Sequence, residues 1–334
     1  MEEFKQGKYK SPVIAIFTGI RDLLKQKERA GHVSEDDRLD NKNVLITGAS
    51  SGLGYAVAIQ LAKKGANLYM ACRSGIPEKG EKIKKLTGSD HIWMLPVDLS
   101  DLNSISGLVN MIVERKVQFD VVICNAAIVP KESRETKQGL EEMFMVNYLA
   151  KYTLIRLLLE KGCIHFNRSE KPRFIFVASE SHRNPEAFDW AGFGQYQSYG
   201  MGKTVELYGY YKLLLTTFAF ELSRRLKFNH MPDASVFALC PGPVNTSIAR
   251  EAPILFQPLL KLVFAIFFKS PEKASEPVVY FATSRDVEHK AFDYLHLMTR
   301  KAIDRKASDP ENGKRLWERS EELLKEHHIR FQHN

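Results

Sequence analysis

The stretch Asn43–Gly65, "NVLITGASSGLGYAVAIQLAKKG", joins a short apolar run to a helix-period pattern through three closely set glycines. "NVLIT" has the length and β-branched content of a buried strand. The residues from Gly52 to Lys64 repeat apolar side chains at helical spacing, and Gly65 follows as a stop. Gly48, Gly52 and Gly54 lie in the turn between them. Glycine there permits a tight turn and a close approach of backbone to a ligand. The helix start adds free N–H groups and a favourable dipole, a ready site for phosphate. The expectation is a strand–turn–helix unit that binds a nucleotide at Gly48, Gly52 and Gly54.

The same alternation continues along the chain. "NLYMAC", "IWMLPV", "DVVIC", "RFIFVAS" and "ASVFALC" read as further strands, with "AFDYL" from Ala291 a weaker seventh. Helical patterns separate them at Asp101–Arg115, Gly139–Lys161 and about Val205–Phe228, and a polar helical stretch precedes "IWMLPV". Near-continuous apolar strands alternating with helices predict a parallel sheet covered on both faces. The fold class expected is α/β, a doubly wound parallel sheet of about seven strands in a single domain. Such folds place their ligands at the carboxyl ends of the strands.

Of the 334 residues 44% are hydrophobic, enough for a sizeable core. The net charge of +8 raises nucleic-acid binding as a class, but the basic residues are scattered and form no recognised module. No nucleic-acid partner is expected. Cys72, Cys124, Cys163 and Cys240 have no metal-type spacing, and three of them end strands, as small buried thiols in a reducing compartment do. No metal site is expected. The start "MEEFKQGKYK" lacks the apolar run of a signal peptide. "PVIAIFTGI" (Pro12–Ile20) is too short to span a bilayer, and "APILFQPLLKLVFAIFF" (Ala252–Phe268) is broken by Pro258 and Lys261. Either suits an interface or a substrate wall, so the chain is placed in the cytoplasm or on the cytoplasmic face of a membrane.

The second strand ends in "ACRS". An NAD-specific site normally carries an acidic residue there for the ribose hydroxyls. Arg73 stands there instead, and a guanidinium suits the extra 2′-phosphate of NADP. NADP(H) is therefore expected as cofactor over NAD.

These motifs together resemble the short-chain dehydrogenase/reductase superfamily, a Rossmann-type fold, over roughly Lys42 to Leu324. The cofactor signature reads "TGASSGLG" (Thr47–Gly54), and the resemblance implies cofactor contacts at Gly48, Ser50, Ser51, Gly52, Leu53 and Gly54. The resemblance implies adenine contact at Asp98 and Leu99 in "PVDLS", and a sheet-centre motif at Asn125, Ala126 and Ala127 in "CNAA", where many members have glycine at the last position. It implies that Asn147 in "GLEEMFMVNYL" holds a water on a proton path. The active serine maps to Ser179 in "FVASESH", with Ser181 the weaker candidate. Pro241, Gly242, Val244 and Thr246 in "CPGPVNT" would meet the nicotinamide end.

The family's Tyr-x-x-x-Lys pair has two candidates, Tyr199–Lys203 in "YGMGK" and Tyr208–Lys212 in "YGYYK". Both put the two side chains on one helix face. Gly200 and Gly202 weaken a helix at the first, whereas the second runs into "LLLTTFAFELSRRL". The family's distance to a Pro-Gly pair also fits Pro241-Gly242 when measured from Tyr208. Tyr208 and Lys212 are the expected acid–base pair, beside Asn147 and Ser179.

Within the superfamily the chain is most similar to the retinol dehydrogenase-like group, through "TKQGLEEMFMVNYL", "SESHRNPEAFDW" and "RLWERSEELL". The organisation expected is a 1–41 N-terminal extension, a 42–328 catalytic domain with an apolar 247–270 segment, and a 329–334 tail. The resemblance implies hydride transfer between NADP(H) and a lipophilic alcohol or carbonyl of retinoid, steroid or fatty-aldehyde type. The competing reading is a non-catalytic NADP(H) sensor or membrane-docked interaction protein of the same fold. Peripheral membrane contact and homodimer formation remain open at this level.

Overall fold

In the computed structural model, which describes residues 29–167, 170–228, 233–242 and 270–331, the chain winds outward in both directions from its first strand, β1 (Asn43–Thr47). β2 (Asn67–Cys72) and β3 (Ile92–Pro96) are laid on one side of it. β4 (Val121–Cys124), β5 (Arg173–Val177), β6 (Ser235–Cys240) and β7 (Phe292–His296) follow on the other. These seven pair in parallel, and the short β8 (Thr299–Arg300) turns back antiparallel to β7. The order is β3-β2-β1-β4-β5-β6-β7-β8. Winding reverses between β1 and β4, and a crevice outside their carboxyl ends is where such sheets take ligands. Ile46 pairs with Ile123 and Thr47 with Ala71, so three strand ends finish level at that crevice.

Helices cover both faces because the strands are apolar on both. Along β1, Leu45 faces one layer while Val44 and Ile46 face the other. The first layer holds α3 (Leu102–Glu114), α4 (Ala150–Glu160), α5 (Met201–Phe228) and α7 (Pro310–Glu326). The second holds α1 (Gly52–Lys63), α2 (Glu78–Thr87) and α6 (Glu276–Thr283). No described helix is long and apolar enough to cross a membrane.

The elements match the sequence pattern with shifts at their ends. The helix expected over Gly139–Lys161 begins instead at Glu142. Gly139 takes a φ of 76° in the preceding turn, and Glu141 caps the helix start through its carboxylate. A π-turn, Met145–Leu149, then leads into α4. α5 begins at Met201 rather than near Val205, so Gly202 lies inside a helix whose later residues pack well enough to carry it. Among the described residues the sheet holds the seven expected strands and the two-residue β8 that follows "AFDYL". All four cysteines are buried and free.

Both chain ends of the described structure pack on this body. Ala30 N donates to Met298 O (2.7 Å), Tyr280 Oη donates to Ala30 O (3.0 Å), and Leu39 is buried. Phe331 lies under the Arg156 guanidinium, 4.5 Å from its ring centre. Residues 1–28 and the apolar segment Ala252–Phe268 lie outside the described residues.

α7 is locked down by aromatic packing. Phe218 on α5 is 1% exposed and sits 4.9 Å from Tyr152, 5.6 Å from Phe176 and 5.9 Å from Trp317 between ring centres. Arg156 and Arg225 lie 4.7 and 4.2 Å from the Trp317 ring centre. Phe218→Ala should therefore cost about 3–5 kcal/mol in urea unfolding, the usual cost of emptying a packed aromatic site. A loss below about 1 kcal/mol would mean that the cluster does not hold α7.

Candidate active site

The glycine turn is built on backbone contacts that leave no room for side chains. Gly48 has a φ of 68°, and a Cβ there would press on Ala126 Cα at 2.8 Å. A Cβ on Gly54 would collide with Gly48 O and with Asn125 Nδ2. That Asn125 amide donates to Thr47 O (3.0 Å) and Gly48 O (3.1 Å), tying the end of β4 to the turn. α1 starts on Gly52 with no capping bond from the Ser51 side chain. Its first N–H groups and positive dipole end are therefore open to an anion. Leu53 anchors this turn in the core, while Ser51 is exposed and Ser50 half-buried.

Beyond the ends of β2 and β3 lies a pocket of about 390 Å³ lined by Arg73, Val97, Asp98, Gly107, Leu108 and Met111. It is an apolar slot with a guanidinium and a carboxylate at its walls. The Asp98 carboxylate accepts from Ser100 N (2.9 Å) and Ser100 Oγ (2.7 Å), which fixes its orientation, and Leu99 beside it is buried. Glycine turn and slot lie side by side along the strand ends, and they fit the phosphates and the adenosine of a dinucleotide.

Ser179 follows β5 and caps the 3₁₀ turn Glu180–Arg183, its Oγ accepting from Ser181 N (3.2 Å) and Ser181 Oγ (2.9 Å). Tyr208 and Lys212 lie one turn apart on α5. The Ser179 hydroxyl acts on the Tyr208 phenol, favouring its ionised form. Lys212 Nζ sits 5.5 Å from the Tyr208 ring centre and donates to Val177 O (2.7 Å). Burial raises Tyr208 above the ordinary phenol value, Cys240 adds to that, and the Ser179 hydrogen bond opposes both. Burial also pushes Lys212 down to about 8, against a smaller upward pull from Cys240. Serine, phenol and ammonium thus converge at the ends of β5 and β6.

The other pair is differently placed. Tyr199 precedes α5, and its hydroxyl donates to Glu141 Oε1 at 2.7 Å. Glu141 is buried and also accepts from Met143 N (3.0 Å) and Phe144 N (2.7 Å). Lys203 is exposed. The Tyr199 hydroxyl is thus spent on capping the helix that carries Asn147.

Asn147 stands in the π-turn, fully buried, and clamps the loop after β4. Its Oδ1 accepts from Ile128 N and its Nδ2 donates to Ile128 O, both at 2.9 Å. Ala127 is exposed on that loop. Pro241 and Gly242 (φ 79°) follow β6, while Val244 and Thr246 lie outside the described residues.

Four charged or titratable residues beside this constellation escape a reading of the sequence. Lys151, buried at 1% exposure, donates to Val146 O (2.6 Å); burial first and Lys212 second hold it well below an ordinary lysine. Glu180 accepts from Tyr294 Oη (2.8 Å), Arg183 Nε (3.2 Å) and Lys301 Nζ (3.3 Å). Burial works to raise it, but Arg183, His296 and Lys301 outweigh that and bring it to about 2. His182 is fully buried, and burial pushes it down to about 4. It is therefore neutral, donating from Nδ1 to Ser179 O (2.6 Å) and accepting at Nε2 from Asp304 N (3.2 Å). Glu141 is the fourth. The one local signal was the crowding of charge in "SESHR" directly after an apolar strand.

Comparison with known proteins gives the family. The short chain dehydrogenase family model matches residues 42–196. The chain is 30% identical over 332 residues to human retinol dehydrogenase 13, covering 95% of this chain and 96% of that protein. It is 30% identical over 303 residues to human retinol dehydrogenase 14, covering 86% and 87%. Among solved structures, an uncharacterized protein of Mycobacterium paratuberculosis superposes with a TM-score of 0.68 at 24% identity, covering 91% of this chain and 100% of that one. The chain belongs to the short-chain dehydrogenase/reductase family of oxidoreductases, with retinol dehydrogenases among its relatives.

Proposed function

We propose that this chain transfers a hydride between NADP(H) and a lipophilic alcohol or carbonyl. The observation that carries the reading is the convergence of Ser179, Tyr208 and Lys212 at the carboxyl end of β5, the same edge of the sheet at which the glycine turn follows β1. When bound, the nicotinamide exchanges the hydride with the substrate carbon. Ser179 Oγ holds the substrate oxygen, and Tyr208 passes a proton to or from it. The Lys212 ammonium stabilises the phenolate that forms when Tyr208 gives up its proton. Asn147 keeps the loop of Asn125, Ala126 and Ala127 against the cofactor. Gly48, Ser50, Ser51, Gly52, Leu53 and Gly54 hold the pyrophosphate, Asp98 and Leu99 the adenine end, and Pro241, Gly242, Val244 and Thr246 the nicotinamide end.

Preference for NADP(H) rests on Arg73 where an NAD site carries an acid. A retinoid-type, steroid or fatty-aldehyde substrate is supported by the named activity of the relatives and by the apolar sequence Ala252–Phe268. A non-catalytic sensor has no use for the serine–tyrosine–lysine arrangement.

The test is oxidation of NADPH with retinal, long-chain aldehydes and ketosteroids. Tyr208→Phe should lower turnover by about 10²–10⁴-fold, the usual worth of a general acid. Tyr199→Phe should keep turnover near wild type and lower stability by about 1–2 kcal/mol, since it removes one donor from buried Glu141. The reverse pattern would move the chemistry to Tyr199. Carbonyl reduction at saturating cofactor should decline as pH rises through about 8, where Lys212 loses the charge that stabilises the phenolate. A profile flat to well above that pH would remove Lys212 from the chemistry. Arg73→Asp should shift the preference from NADPH towards NADH, and an unchanged preference would refute the role of Arg73.

A further inference from the structure

We propose that Lys79 is a second cation for the 2′-phosphate of the cofactor, acting opposite Arg73, an inference that rests on the NADP(H) reading above. Lys79 lies in the first turn of α2, on the segment that leaves β2 just after Arg73. Gly75 is the point where this segment meets the glycine turn. It has a φ of 77°, and a Cβ built there would stand 2.7 Å from Lys79 Cγ and 3.5 Å from Ser50 Cβ. The lysine stem is therefore packed beside the phosphate-binding turn. Its ammonium is held 5.6 Å from the centre of the Tyr55 ring, on the first turn of α1.

Among the described residues two groups in this corner lack a charged or hydrogen-bonding partner. Among the described residues no carboxylate pairs with Lys79, and Glu81 on the same turn is bonded to Lys84 at 2.9 Å. The Tyr55 hydroxyl is buried and makes no hydrogen bond. An unpaired ammonium held over an aromatic face, next to a buried phenol without an acceptor, is a donor set awaiting a multiply charged oxyanion. Arg73 borders the adenosine slot from the end of β2. The start of α1 takes the pyrophosphate through backbone N–H groups, so the side-chain cations on the β2–α2 segment are left for the ribose phosphate.

The experiment is calorimetric titration of the full chain with adenosine 2′,5′-bisphosphate and, in parallel, with 5′-AMP, which lacks only the 2′-phosphate. Wild type should bind the bisphosphate more tightly. Lys79→Met should weaken the bisphosphate by about tenfold or more and change 5′-AMP by less than about twofold, as loss of one charge-assisted contact does. Lys79→Arg, which keeps the charge, should retain most of the difference. Equal weakening of both ligands would show that Lys79 only shapes the loop, and no weakening of either would show that it touches no phosphate. Both results overturn the proposal while leaving the NADP(H) reading intact. Equal binding of the two ligands by wild type would instead overturn the NADP(H) reading, and this proposal with it.

Discussion

The approach of α1 to the ends of β1 and β4 is the constraint on which the rest of the site depends. Gly54 meets Gly48 O and Asn125 Nδ2 where any Cβ would collide, and the Asn125 amide bonds the two carbonyls at the end of β1. This contact does three things at once. It holds the crossover helix against the sheet, exposes the uncapped N–H groups of α1, and sets the level at which the strands end. Winding reverses beside it, so the crevice for a dinucleotide follows from the same packing.

The reactive end is positioned by a second set of buried polar contacts. Glu141 caps the helical turn before the π-turn and takes the Tyr199 hydroxyl. Asn147 in that π-turn clamps Ile128, and so the loop that starts at Asn125. Across the sheet, neutral His182 joins the Ser179 carbonyl to the backbone at Asp304. Glu180 is pinned by Tyr294, Arg183 and Lys301. Ser179, Tyr208 and Lys212 therefore meet on a frame in which Glu141, Asn147, His182, Tyr199 and Tyr294 are buried. A buried polar group costs free energy unless it is bonded, and here the bonds run towards Ser179, Tyr208 and Lys212.

What was legible in the sequence is what local chemistry dictates. The glycine turn and the seven parallel strands follow from patterns of a few adjacent residues. The misses are non-local. The start of α5 at Met201 is carried by the packing of its later turns and overrides the poor propensity of Gly202. The start at Glu142 depends on a carboxylate that also receives a phenol from far along the chain. Lys151, Glu180 and His182 have no motif; their surroundings come from strands and helices that only the fold brings together. The packing of Ala30 on Tyr280 and Met298 is of the same kind.

The most direct measurement is a calorimetric titration of the full chain with NADPH, repeated with Gly54→Ala. Saturable binding of one dinucleotide per chain, lost when a methyl group is forced between Gly54, Gly48 O and Asn125, is the expected result. A folded wild-type chain that binds no dinucleotide, or a folded Gly54→Ala chain that binds it unchanged, would contradict the assignment of this turn as the seat of the cofactor.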